Sequence, residues 1–135
     1  YTLIDTPGHA DFAAETERAL SAMDAAVLLD AEGISAGVLK LNRIAPLAME
    51  ALSRETEGTE VVLILEDCFE NGSVGQQIAA GLAEGEGQCP PHVILKNLKD
   101  RFAPEGTVEQ LRHRFGLDAA GAEVVNLILA EIVAA

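Results

Sequence analysis

The sequence is poor in aromatic residues and in positively charged residues. The first shortage limits how the core can be built, and the second limits the possible partners. Aromatic side chains make up 4% of the 135 residues and tryptophan is absent, so the core must be built from aliphatic residues. Nine lysines and arginines face 22 acidic residues, which gives a formal net charge of -13. Because such a chain repels phosphate backbones and anionic lipid surfaces, we expect neither nucleic acid nor a membrane as a direct partner.

Cysteines and long apolar runs are scarce as well. Cys68 and Cys89 do not form a CxxC pair, and two thiols make no disulfide framework, so a reduced, cytoplasmic chain is expected. No stretch reaches the roughly 18 consecutive apolar residues of a membrane span. No signal peptide is visible, since Asp5 interrupts the first apolar run and no basic region precedes it. The first residue is Tyr1 rather than methionine, which leaves open a fragment with missing upstream domains, a natural fusion or a designed chimera.

The apolar residues, 49% of the chain, are arranged as short strands alternating with helices. Strands are predicted at 1–5, 37–42, 60–66 and 92–95, and helices at 11–23, 48–55, from about 75 to 82, 108–115 and 119–133. The run at 27–29 fits either a further strand or the end of the first helix. The alternation predicts one α/β domain over 1–135, with three layers: a mainly parallel sheet of four or five strands and helices on both faces.

The fourth predicted helix carries start and stop signals. Thr107 is placed as the N-cap and Gln110 as the third helical residue, which is the spacing of a capping box. Gly116 follows the last helical position and is expected to end the helix.

The first strand ends in a pattern typical of a phosphate sensor. The Asp5 carboxylate could reach Mg²⁺, the Gly8 amide could donate to a terminal phosphate, and His9 could orient an attacking water. The longer string that begins YTLIDTPGHADF and continues to Gly33 resembles elongation factor G and the ribosomal-protection GTPases. That resemblance implies nucleotide-binding roles for Asp5, Gly8 and His9, with GTP and Mg²⁺ as ligands, in segment 1–34.

The rest of GTP-binding machinery is missing from the sequence. There is no Gly-Lys pair, and hence no phosphate-binding loop, and no Asn-Lys-x-Asp guanine motif. Since the loop supplies most of the phosphate binding, we expect 1–24 to serve as a strand, a turn and a helix. A fragment or degenerate form of a translational GTPase, with residual GTP and Mg²⁺ binding, remains the alternative.

A second pattern lies in the glycine loop at 71–75. Gly72 and Gly75 permit a tight connection from strand to helix, and the amides around Gly72, Ser73 and Gly75 could bind an anion. The alternative is that the glycines serve helix–sheet packing. Glu66 and Asp67, at the end of the preceding strand, fit a cation site, an acid–base pair, a solvated pair or a cap for the neighbouring helix.

Segments along 33–133 together resemble the C-terminal domain of transketolase-type enzymes. The matching stretches are 33–47, 61–67, 71–75, 100–107 and 116–121, and the last two resemble most those of the 1-deoxy-D-xylulose-5-phosphate synthases of isoprenoid-precursor synthesis. In such enzymes thiamine diphosphate and Mg²⁺ lie between two other domains. The resemblance therefore implies a structural or dimer-supporting domain with no catalytic residues and no cofactor of its own.

The remaining reactive side chains give no sign of a site. His9, His92 and His113 have no partner at metal-ligand spacing, so no metal site is expected. Acidic neighbours should raise the pKa of the Cys68 thiol, which argues against a reactive cysteine. An interaction module that docks through a sheet edge or a helix face is the further alternative, with a homodimer among the possible assemblies.

Overall fold

The structure, a computed structural model, describes residues 2–5, 27, 30–31, 33–85 and 89–118. Within these ranges the elements follow the order β1 (Thr2–Asp5), β2 (Gly37–Lys40), α1 (Met49–Glu55), β3 (Val61–Leu65), α2 (Val74–Ala83), β4 (His92–Lys96) and α3 (Val108–Phe115). Each lies within about two residues of its predicted bounds. The predicted helices at 11–23 and 119–133 fall outside the described residues.

The described strands form one parallel sheet in the order β2-β1-β3-β4. Thr2 of β1 pairs in register with Gly37 of β2 and with Val62 of β3. Parallel strands need crossover connections, and α1 and α2 supply those from β2 to β3 and from β3 to β4. The α/β class and the parallel sheet are confirmed. The strand count of the whole chain and helices on both faces stay predictions.

The main core lies between the sheet and helices α1 and α2, which also contact each other. Helix α2 contributes Ile78 and Leu82, four residues apart on one helical face. The buried apolar side chains of this cluster are Ile4, Leu41, Leu52, Val62, Ile64, Ile78 and Leu82. They are all aliphatic, as the shortage of aromatic residues predicts.

Strand β3 is covered on both faces. Val62 and Ile64 point into the main core and are 0% exposed. Val61 and Leu63 point to the opposite face, because successive side chains of a strand alternate, and each is 3% exposed. This explains why β3 is a continuous apolar run rather than an alternating one.

The junction at 27–29 is helical where the structure describes it. Val27 is in helical conformation and 68% exposed, and Asp30 and Ala31 are helical as well. Of the two alternatives for this run, Val27 therefore follows the helical one, while residues 28 and 29 lie outside the described part.

The capping-box prediction for α3 is confirmed. The Thr107 side chain accepts from the Gln110 amide at 3.3 Å, and the Thr107 amide donates to the Gln110 side chain at 3.0 Å. Gly116 ends the helix in the left-handed conformation, with φ of 65°.

Candidate functional site at the carboxyl edge of the sheet

The carboxyl ends of β1 and β3 bring Asp5 and Glu66 to one edge of the sheet. Asp5 ends β1 and pairs in register with Leu65, which ends β3. Glu66 directly follows Leu65, so Asp5 and Glu66 lie at the same edge of the sheet. The chain leaves β1 toward β2 and leaves β3 toward β4, in opposite directions across the sheet. Such a switch point, at the carboxyl ends of the strands, is where doubly wound sheets bind ligands. Gly8 and His9 lie outside the described residues.

Glu66 is the buried carboxylate of this edge. It is 4% exposed, and its Oε2 accepts a hydrogen bond from the Gly75 amide in the first turn of α2 at 3.0 Å. The negative charge at the helix N-terminus is favourable both as a cap and through the helix dipole. Among the alternatives for Glu66, the geometry is that of a cap for the neighbouring helix. Its neighbour Asp67 is exposed.

A side chain at position 75 would disrupt this contact. A Cβ built on Gly75 would overlap the Glu66 carboxylate and would lie 3.0 Å from Leu95 Cδ2. Glycine is therefore required by the close approach of helix α2 to the ends of β3 and β4. This is the packing role that the sequence leaves open for Gly75.

Two further amides at this loop are engaged by side chains of the chain itself. The Gln76 amide donates to Ser73 Oγ at 3.2 Å, and the Gly72 amide donates to Gln76 Oε1 at 3.0 Å. The structure thus brings Gly72, Ser73 and Gly75 together as predicted, with the amides of Gly72 and Gly75 engaged by side chains of this chain. Anion binding at this loop stays a prediction, and at Gly75 an anion would have to displace Glu66.

Cys68 follows the Glu66 carboxylate and is electrostatically unsuited to nucleophilic chemistry. Partial burial of the thiol, then the charges of Glu66 and Asp67, and a hydrogen bond with Glu66 raise its pKa from 9.0 to about 11. The predicted direction is confirmed, and desolvation of the partly buried thiol is the largest single cause of the raised pKa. The thiol is protonated at neutral pH, whereas the thiolate is the reactive species.

The loop after β3 and the loop after β4 are fastened to each other. The Leu98 amide donates to the Cys68 carbonyl at 3.1 Å, and Asn71 Nδ2 donates to Asp100 Oδ2 at 2.9 Å. The Lys99 ammonium forms an ion pair with Glu70. These contacts join the two loops at the carboxyl edge of the sheet.

Asn97, a residue that the sequence analysis does not single out, stabilises the second loop. It is 3% exposed, and its Oδ1 accepts from the Lys99 amide at 2.9 Å. This bond supports Lys99 in the left-handed region, with φ of 54°. Within the described part of the chain, Asn97 Nδ2 has no hydrogen-bond partner. An asparagine directly after a strand of the sheet is the signal that could have identified it.

The opposite edge of the sheet carries an open cleft of about 780 Å³, near the starts of β3 and β4. Its lining includes Arg54, Cys89 and His92. Across the ranges that the structure describes, no group of three or more His, Cys, Asp or Glu side chains is placed to hold a metal ion. Each helix in those same ranges is too short or too polar to span a membrane.

Comparison with known proteins identifies the domain. Residues 16–122 match the family described as the transketolase C-terminal domain. This chain belongs to that family. The match begins inside the segment 1–34, earlier than the predicted start of the transketolase-like portion at residue 33.

A solved structure extends the assignment to three dimensions. The chain is similar to the protein titled "Split gene transketolase, inactive beta4 tetramer", with a TM-score of 0.73 and 26% identity. The similarity covers 90% of this chain and 36% of that chain, so this chain spans just over a third of the neighbour's length.

A curated relative of a different kind matches a short stretch. "Tetracycline resistance protein TetM" of Streptomyces lividans is 58% identical over 43 residues, which is 30% of this chain and 7% of that protein. The chain therefore spans a small fraction of this relative's length, and the whole relative's activity is not carried over by the match.

Proposed function

We propose that this transketolase C-terminal domain is structural rather than catalytic and supports association between copies of its own chain. The observation that carries the proposal is the similarity, over 90% of the chain, to a transketolase subunit described as an inactive tetramer. The resemblance of 100–107 and 116–121 supports a finer proposal, a relation to 1-deoxy-D-xylulose-5-phosphate synthase and isoprenoid-precursor synthesis.

The carboxyl edge supports a non-catalytic role. The Glu66 carboxylate is used to cap helix α2, and the pKa of the Cys68 thiol is raised to about 11. The Glu66 carboxylate is thus engaged in helix packing, and the Cys68 thiol stays protonated at neutral pH. In this proposal thiamine diphosphate and Mg²⁺ belong to other domains of the resembled enzymes, and this chain binds no cofactor itself.

Two measurements test the proposal. Sedimentation velocity over a concentration series should show reversible self-association, and a chain that stays monomeric throughout contradicts the supporting role. Calorimetric titration with thiamine diphosphate and Mg²⁺ should show no saturable heat. Saturable binding that is lost in Glu66→Gln would instead indicate that this edge holds a cofactor.

A second candidate is residual nucleotide binding, and the TetM match favours it. Asp5 ends β1 at the switch point of the sheet, where a Mg²⁺-bound nucleotide would be expected. Under this candidate Asp5, Gly8 and His9 contact Mg²⁺ and GTP, and the chain is a chimera whose GTPase-like segment replaces the first β–α unit. Titration with a fluorescent GTP analogue and Mg²⁺ tests it: micromolar binding that fails in Asp5→Ala would rank this candidate first.

A further inference from the structure

An asparagine–glycine pair lies in the turn between β3 and α2. Asn71 and Gly72 are the one such pair in the 135-residue sequence. The Ser73 amide donates to the Glu70 carbonyl at 3.1 Å, which closes the turn, and Gly72 lies in the left-handed region with φ of 77°. Because a side chain disfavours that conformation, the turn favours glycine at this position. The fold therefore places a peptide amide with no side chain beside it directly after an asparagine.

Both residues of the pair are accessible. Asn71 and Gly72 are exposed, and a Cβ built on Gly72 would meet no atom of the described residues within 4 Å, its chain neighbours aside. Asn71 Nδ2 donates to Asp100 Oδ2 at 2.9 Å, and the Gly72 amide donates to Gln76 Oε1 at 3.0 Å. Because these hydrogen bonds are exposed, water competes for the same groups, and local opening frees them at little cost. The side chain of Asn71 and the main-chain nitrogen of Gly72 can then approach each other.

An asparagine–glycine pair can lose ammonia with water as the sole co-reactant. The Gly72 nitrogen attacks Cγ of Asn71 and gives up its proton, so that a cyclic imide forms. The Cγ–Nδ2 bond breaks, and Nδ2 leaves as ammonia. Water then breaks one of the two C–N bonds of the imide ring, which leaves a carboxylate on an aspartate or, with Cβ inserted into the main chain, on an isoaspartate. An amide and a water thus become a carboxylic acid and ammonia, and nothing is oxidised or reduced.

We propose that Asn71 is a deamidation site and that its conversion to a carboxylate loosens the loop after β3 from the loop after β4. In the unmodified chain Asn71 Nδ2 is the donor and the Asp100 carboxylate is the acceptor. The product has no N–H to donate and places a second carboxylate beside Asp100, so an attraction becomes a repulsion. The adjacent cation, Lys99, is already paired with Glu70. One of the contacts that join the two loops is therefore lost, and a like-charge contact replaces it.

Incubation of the 135-residue chain in mildly alkaline buffer tests the chemistry. Peptide mass spectrometry at intervals should show Asn71 changing from amide to acid, with the aspartate and isoaspartate products separated by chromatography. Asn42 is the matched control, because it is exposed but is followed by Arg43. Asn71 should react on the order of tenfold faster than Asn42, since an arginine side chain hinders the attacking amide and glycine does not.

Substitutions test the consequence for the two loops. The Leu98 amide donates to the Cys68 carbonyl across these loops, and Asn71→Asp should speed its hydrogen exchange on the order of tenfold. At low salt, where the repulsion is least screened, Tm should fall by about 3 °C. Asn71→Asp combined with Asp100→Asn exchanges donor and acceptor, so it should restore both values. Asn42→Asp adds the same charge outside the two loops and should leave both values unchanged.

The two experiments decide the site and its consequence separately. If Asn71 stays an amide in the folded chain, or reacts no faster than Asn42, the assignment of a deamidation site is overturned. If hydrogen exchange at Leu98 in Asn71→Asp equals that of the wild type, or if the exchanged pair fails to restore it, the loosening of the two loops is overturned. Neither result depends on whether copies of the chain associate.

Discussion

Replacing Gly75 by alanine should destabilise the domain through one contact. The added Cβ would overlap the Glu66 carboxylate, which is 4% exposed and accepts a hydrogen bond from the Gly75 amide. Displacing the carboxylate forfeits a buried, charge-assisted hydrogen bond worth about 1.5–3 kcal/mol. The gain in helix propensity from glycine to alanine, up to about 1 kcal/mol, offsets part of this. We expect a net loss of about 2 kcal/mol in the free energy of unfolding, or about 7 °C in Tm.

Gly81→Ala is the matched control, because it makes the same substitution in the same helix. Its Cβ would meet the terminal methyl group of Met49, the end of a flexible side chain that can move aside. The propensity gain should then dominate, and Tm should stay unchanged or rise by about 3 °C. Urea unfolding followed by circular dichroism measures both variants.

A double-mutant cycle identifies the contact responsible. If the cost of Gly75→Ala comes from displacing Glu66, it should largely vanish in a Glu66→Ala background. An equal cost in both backgrounds, or equal stabilities of Gly75→Ala and Gly81→Ala, would refute the reasoning.

Further predictions concern the cap of α3 and the Cys68 thiol. Thr107→Ala should lower the free energy of unfolding by about 1 kcal/mol because the Gln110 amide loses its acceptor, and a melting curve that coincides with the wild type contradicts this. Iodoacetamide at pH 8 should modify Cys68 about tenfold more slowly in the folded chain than in urea. The raised pKa lowers the fraction of thiolate more than it increases the nucleophilicity of the thiolate that remains. Peptide mass spectrometry measures both rates, with the exposed Cys89 as internal reference, and equal rates would contradict the prediction. The pKa of the Cys68 thiol is near 9.0 in the unfolded chain and about 11 in the folded chain. The free energy of unfolding of the wild type, relative to that of Cys68→Ser, should therefore fall as pH rises from 9 to 11. Urea unfolding measures both proteins, and the same pH dependence in both would contradict the pKa shift.

Local chemistry predicted the elements of this fold well. The continuous apolar run at Val61–Leu65 predicted a strand buried on both faces, and Thr107, Gln110 and Gly116 predicted both ends of α3. These signals are readable because a strand's burial and a helix's caps depend on residues close together in the sequence. The strand order, with β1 between β2 and β3, depends instead on connections that the same pattern leaves open.

The candidate site was predicted less completely, because its contacts join residues far apart in sequence. The Glu66–Gly75 bond depends on how closely α2 approaches the end of β3, and the Asn71–Asp100 bond depends on which loops the sheet places side by side. Composition and spacing placed Gly75 in a glycine loop, with anion binding and packing both open. The neighbouring carboxylate that engages its amide was visible only once the two elements were packed together.

The Glu66 carboxylate affects ligand binding at the carboxyl edge of the sheet. In doubly wound sheets a helix N-terminus at the switch point commonly receives a ligand's anionic group, because its amides and dipole favour negative charge. Here the chain itself supplies the anion, since Glu66 occupies the Gly75 amide and the adjoining loops are fastened to each other. An external anion would have to displace a buried carboxylate from its hydrogen bond before binding there.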